Sequence, residues 1–274
     1  MIEIFSKDML NQYIVQHLSQ AARGFVCQVE LWEVVNAILY KLKTGTQWKL
    51  LPVKSLITSG SYTWGAVYHH FRKWAKDRSW RKAWLALANA QKCLFDLSTA
   101  QLDGTHSLAK RGGEAVAYQG RKKGKTTNIL LLTDRNGLVV ACGKPLGGNH
   151  NDLYQIEEQV KEMLSQLKEA EIPAEGLFLN ADAGFDSKKL RELLEIEGIM
   201  LNAPPNKRNS SHLDSDVLLD EEMYTERFVI ERTNASMDSF RTLLVRQDTT
   251  LDSWWAWHFI AFTSWLMKHR LQKV

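Results

Sequence analysis

The chain has 274 residues, 45% hydrophobic and 24% charged, an ordinary globular composition with material for one large domain and a small one. Cys27, Cys93 and Cys142 lie far apart with no CxxC spacing, which excludes a disulfide framework and a zinc ribbon and fits a reducing cytoplasm. The net charge of +4 divides unevenly: residues 1–100 carry 13 Lys and Arg against 6 Asp and Glu, or +7, and residues 101–274 carry 22 against 25, or −3. A basic front third suits a polyanion, of which duplex DNA is the commonest, or is simply a solvated basic face.

Residues 1–10 lack the basic and then apolar order of a signal peptide. Leu31, Val34, Val35, Ile38, Leu39 and Leu42 fall on one face of an amphipathic helix that stops at Thr44-Gly45. After Pro52, Ser61 is placed to cap a second helix with Val67, Phe71 and Trp74 inward. Helix, turn, basic helix is the outline of a helix-turn-helix. Within it, His69, His70, Arg72, Lys73 and Lys76 are candidate DNA contacts, and residues 69–82 hold six Lys or Arg against one acid.

Beyond residue 95 strand runs begin: Leu97–Leu102, Ala115–Tyr118, Asn128–Thr133, Leu138–Cys142, Leu177–Ala181 and Ile199–Ala203. Asn136-Gly137 predicts a hairpin between the third and fourth. Helices over about 152–171 and 187–197 bracket the fifth, the alternation of an α/β sheet with parallel later strands. A polar stretch, Asn206–Ser215, precedes a helix predicted over 228–246. The apolar run Trp254–Met267 is interrupted by His258, Thr263 and Ser264 and is too short for a bilayer span, so a buried helix rather than a membrane anchor is expected.

Asp103 and Asp182 each follow an apolar strand run, where α/β sheets place reactive groups, and Glu231 lies on the late helix. Three carboxylates from distant parts of a chain are enough to hold two Mg²⁺ ions that activate water and stabilise a leaving 3′ oxygen. With 31 acidic residues present, spacing alone does not single these three out. The other acids have plainer roles: Asp134 opens a turn, Asp152 stands at a helix N-cap, and Asp186 or Ser187 caps the next helix. His106 and His150 have no second nitrogen at metal-binding spacing, and His150 is a candidate neighbour of the site. Residues 110–125 bring six basic side chains, Lys122 and Lys123 among them, close behind Asp103 in sequence, either as a backbone-gripping loop or as a solvated hairpin.

LYKLKTGTQWKLLP, VYHHFRKW, LDGTH, GGNHNDLYQ, NADAGFDS and YTERFVIERTNASMDSFRTLLVR, spread over nearly the whole chain, resemble the insertion-sequence DDE transposases of the insertion-sequence-five group. Tyr224, Arg227 and Glu231 reproduce the Y-x2-R-x3-E signature of that superfamily. The resemblance implies a helical DNA-binding domain over 1–92 and a ribonuclease H-like catalytic domain over 93–274, a mixed sheet flanked by helices. It further implies Asp103, Asp182 and Glu231 as catalytic metal ligands for two Mg²⁺, with Mn²⁺ able to substitute, and Arg227 as a DNA or triad contact. Binding of terminal inverted repeats, hydrolysis at the element ends, strand transfer, and at least a homodimer on double-stranded DNA in the bacterial cytoplasm complete the expectation. The signature also expects Lys seven residues after the Glu, on the same helix face, where this chain has Asp238; Arg241 or Arg246 is the substitute, and Ser236 stands where relatives often have Trp. A nuclease of the same fold that cuts without joining, and a domesticated or inactive DNA-binding descendant, are the alternatives.

Overall fold

The computed structural model describes residues 1–20, 27–206 and 219–272; all of the polar stretch after Asn206 lies outside them. In chain order the helices α1 (Lys7–Tyr13), α2 (Leu31–Thr44), α3 (Val53–Leu56), α4 (Trp64–Lys76) and α5 (Ser79–Ala90) come first. Then follow β1 (Ala100–Ala109), β2 (Ala117–Gln119), β3 (Gly124–Asp134), β4 (Val139–Cys142), β5 (Leu146–Gly147), α6 (Ile156–Glu169), β6 (Phe178–Ala181), α7 (Lys188–Ile196) and β7 (Met200–Asn202). The chain ends with α8 (Glu221–Thr225), α9 (Phe228–Met237), α10 (Arg241–Leu244), β8 (Val245–Arg246) and α11 (Leu251–Gln272). Contacts group the residues into two units: 1–90 with 109–114 and 237–274, and 91–108 with 115–236. The sequence reading drew one boundary near residue 92; contacts instead gather residues 237–274 with the N-terminal helices.

In the first unit α2 is buried on nearly every side, Glu33, Asn36 and Lys41 included, and ends where Gly45 takes the left-handed conformation (φ 68°) that an L side chain resists. The second helix is capped by Thr63, whose hydroxyl accepts from the Ala66 N–H, rather than by Ser61. The centre of the unit is α11, which packs on α2, α4 and α5. Trp257 stacks on Phe71 with ring centres 4.2 Å apart, and Trp84 meets Phe259 and Phe262 at 5.5 and 5.7 Å. A helix apolar all round belongs inside a core; among the described residues no helix is long and apolar enough to cross a membrane.

In the second unit β1 pairs antiparallel with β3 and parallel with β6, and β6 pairs parallel with β7. β4 pairs antiparallel with β3 at Leu131 to Thr133, residues that already face β1, so it takes β3's far edge. The order β4-β3-β1-β6-β7, with β3 running against the rest of the central strands, is the ribonuclease H-like arrangement. The predicted helix over 228–246 is broken: α9 stops at Met237 and α10 begins at Arg241. Asp238 is therefore the first residue past the helix that carries Glu231.

Candidate active site

Asp103 lies inside β1, whose strand continues to Ala109, not after its end. The parallel register nonetheless matters more than the strand's length. Ala100, Gln101 and Leu102 face Leu179, Asn180 and Ala181, so Asp103 and Asp182 are the next residues on two neighbouring parallel strands, at the carboxyl end of the paired segment. Adjacent strands stand about 4.8 Å apart, which sets the two carboxylates side by side.

Glu231 stands on α9, which with α8 is fixed against the sheet by two sets of hydrogen bonds. Asn202 Nδ2 donates to Asn180 Oδ1 (2.8 Å) and to Asp220 O (3.0 Å), and Asn180 Nδ2 donates to Met223 O (3.0 Å), which binds α8 to β6 and β7. On the other side Thr233 Oγ1 of α9 donates to Gly137 O (2.8 Å) in the β3–β4 turn. Glu226, between the two helices, accepts from Thr99 Oγ1 (2.7 Å) and pairs with Arg135 (2.6 Å).

These anchors bring Arg227 to the centre of the site. Its guanidinium stands 3.5 Å from Asp103 Oδ1, 3.9 Å from Asp182 Oδ2 and 3.5 Å from Glu231 Oε1. One cation thus touches all three acids, while its buried Nε has no hydrogen-bond partner. The acids grade from interior to solvent, with side-chain exposures of 18% for Asp103, 41% for Asp182 and 67% for Glu231. Burial pushes Asp103 up to about 6, against the pull of Arg227 and the Gly104 N–H. Asn234 Nδ2 donates to Asp103 Oδ2 at 3.3 Å, a neighbour that motif reading did not single out, although it lies three residues beyond Glu231 on the same helix face.

Asp182, which had no evident structural task in sequence, has one: its Oδ1 accepts from Gly184 N (2.7 Å) and caps a single 3₁₀ turn, Ala183–Phe185. That leaves Oδ2 facing Arg227. Asp152 is not the N-cap expected of it. Gln155 in left-handed conformation starts α6 without a side-chain cap, and Asp152 Oδ1 accepts from Asn128 Nδ2 (2.9 Å), filling the space that a side chain at Gly104 would need. Asp134 keeps its expected turn role, accepting from Leu138 N (2.7 Å), and Ser187 caps α7 through Leu190 N (3.1 Å).

Lys122 and Lys123 are exposed in the β2–β3 turn; since Asp103 faces Leu131, eight residues along β3 from Lys123, strand rise alone puts them about 25 Å away. His150 stacks on Tyr154 with ring centres 3.6 Å apart, and His106 meets Thr126 Oγ1 at 3.2 Å. On α4, His70 contacts Tyr62 Oη (2.8 Å) and burial lowers it to about 4, so the ring is neutral near pH 7. Lys73 donates to Ser19 O (3.1 Å), whereas His69, Arg72 and Lys76 are exposed. Arg241 is exposed at the start of α10. Among the described residues no three His, Cys, Asp or Glu side chains are close enough to hold a metal ion as they stand. The site nevertheless has the oxygen-only donor set that hard divalent cations require.

Residues 102–264, more than half of the chain, match the family described as DDE superfamily endonuclease, and residues 8–84 match one described as putative transposase of IS4/5 family. The chain belongs to the DDE endonuclease superfamily, and it is a DNA transposase. No curated protein matches it. Among solved structures it is similar to the Mos1 transposase paired-end complex with left transposon end, at 14% identity over 89% of this chain and 79% of that one, with a TM-score of 0.30. A second is the Mos1 transposase catalytic domain with Raltegravir and Mn, at 14% identity over 68% and 89%, TM-score 0.30. Both likenesses are too distant to bear on individual residues.

Proposed function

We propose that Asp103, Asp182 and Glu231 are the catalytic carboxylates with which this transposase cuts the ends of its element and joins them to a target. The observation that carries this reading is the single guanidinium of Arg227 in contact with all three. Three like charges are gathered only against a matching cation, and in the reaction that cation is divalent. Asp103, Asp182 and Glu231 would hold two Mg²⁺, or Mn²⁺ in their place. Bound there, the ions would activate the attacking oxygen and stabilise the leaving 3′ oxygen of the phosphodiester.

The chain's own contribution is placement. Asp103 is held by the strand and by Asn234, and Asp182 presents one oxygen because Gly184 holds the other. Glu231, the most exposed, closes the site from α9. Arg227 offsets the carboxylate charge, and its planar fork suits a DNA phosphate when it leaves them. Water serves as nucleophile for hydrolysis and the freed 3′ hydroxyl for strand transfer, with the same carboxylates used twice. Exposed His69 and Lys76 lie on the face offered to the terminal inverted repeats, and joining two ends calls for at least a homodimer on double-stranded DNA.

Alanine at Asp103, Asp182 or Glu231 is expected to reduce cleavage of a duplex element end by 10³-fold or more, on the order of 4 kcal/mol, with DNA binding retained. Mg²⁺ should raise the melting temperature of the native chain but not of the Asp103→Ala, Asp182→Ala pair. Undiminished cleavage in any single variant removes that residue from the site. Nicked products without joined ones would identify a nuclease, and activity untouched by Asp103→Asn a non-catalytic descendant.

A further inference from the structure

The N-terminal helical unit contains a cavity of about 650 Å³ that lies wholly within it. Its lining carries four cations, Lys41, Lys49, Arg72 and Arg111, against one carboxylate, Asp248. Three aromatic rings, Trp48, Trp64 and Tyr68, share it. Trp48 and Tyr68 stand 5.1 Å apart in tilted contact, and Trp64 is 38% exposed although its helix has an apolar face available. Arg72 lies over the Tyr68 ring at 5.9 Å and donates to its hydroxyl at 3.3 Å.

Arg111 is held at the lining by the backbone. Lys110 N donates to Arg246 O and Glu114 N to Thr249 O, each at 3.0 Å, and Gly113 has no room for a side chain against the Thr249 backbone. Deeper in, Lys41 is buried, donates to Thr46 O (3.1 Å) and lies over Trp48 and Trp257 at 5.1 and 5.4 Å. Asp248, the one carboxylate of the lining, accepts from Trp257 Nε1 at 3.0 Å and acts electrostatically on Lys41 and Arg72, which leaves the lining with an excess of cations.

Aromatic faces interleaved with cations bind unpaired bases and their phosphates, and the volume lies within the range of ligand pockets. A duplex is too wide for such a cavity, but one strand is not. We propose that this cleft takes unpaired nucleotides of a DNA strand, with bases stacked on Trp64 and Tyr68 and phosphates at Lys49, Arg72 and Arg111. The choice of ligand rests on the transposase reading. Three separate cations suit successive phosphates of a strand better than the single phosphate of a free nucleotide.

The test is fluorescence anisotropy of the full chain with labelled oligothymidylate of about eight residues. The native chain should bind it, with Trp64→Ala weakening the complex about tenfold and Trp64→Phe restoring it. Arg111→Gln, a change at an exposed residue that does not threaten the fold, should weaken it several-fold and make its salt dependence shallower. No binding by the native chain, native-like binding by both Trp64→Ala and Arg111→Gln, or competition by thymidine monophosphate as effective as by the oligonucleotide would each overturn the assignment. Asp103-dependent cleavage of duplex ends is read separately: if it persists while the cleft variants bind normally, only the cleft assignment falls.

Discussion

Arg227 is the residue on which the site turns. Its side chain is 18% exposed, its Nε is unpartnered, and its two terminal nitrogens are divided among three acids. Removing it leaves Asp103 buried beside Asp182 with no counter-charge. Arg227→Gln is therefore expected to destabilise the metal-free chain by about 1–3 kcal/mol, and Mg²⁺ should restore much of the loss by supplying the missing positive charge. Thermal melts with and without Mg²⁺ read this directly; an unchanged melting temperature without metal would mean the ion pairs contribute nothing. At this scale motifs carried much of the reading. The spacing of Tyr224, Arg227 and Glu231 and the strand-end position of Asp182 were visible as letters, whereas Asp103 proved to lie inside its strand. That Asp182 is half committed to Gly184, that Asp152 turns to Asn128, and that Asn234 supports Asp103 were not, because each depends on a backbone conformation or a long-range partner that spacing does not specify.

The element scale is set by how α9 meets the sheet. Gly137, read in sequence as a hairpin residue, has φ +87° and lies under α9; a Cβ there would stand 2.7 Å from Thr233 Oγ1 and 3.0 Å from Val229 Cγ1. The turn is thus also the seat of the helix that carries Glu231. Gly137→Ala combines left-handed strain with overpacking and should cost about 2–4 kcal/mol. Cleavage should fall further than stability explains, because Glu231 moves with the helix. Full activity per folded molecule, measured at a temperature where the variant is native, would separate the turn from the site. Periodicity located α2, and apolar runs located the body of α11 and the second half of β3, whose first residues, 124–127, were not read as strand. It missed the break between α9 and α10, because residues 238–240 carry no proline or glycine to announce it.

At the scale of the molecule, α11 closes a core begun more than 150 residues earlier. Burying Trp254, Trp257, Phe259 and Phe262 contributes about 2 kcal/mol each, a sum comparable with the whole stability of an ordinary domain. A chain ending at residue 250 should lose the cooperative fold of the N-terminal unit, seen as rapid proteolysis of residues 1–90. A cooperative melt from residues 1–92 alone would show that α11 is dispensable there. The sequence by itself determined the candidates: the three acids, the arginine of their signature, the basic front third and the apolar C-terminal helix follow from residue type, period and motif, which are local properties. Only the tertiary structure decided the partners. The register that sets Asp103 beside Asp182, the glycine turn that seats α9, the cleft shared by Trp64 and Arg111, and the return of α11 to the first helices all arise from contacts between segments far apart in the chain. Such contacts are selected by burial and hydrogen bonding across the whole fold, and no local pattern records them.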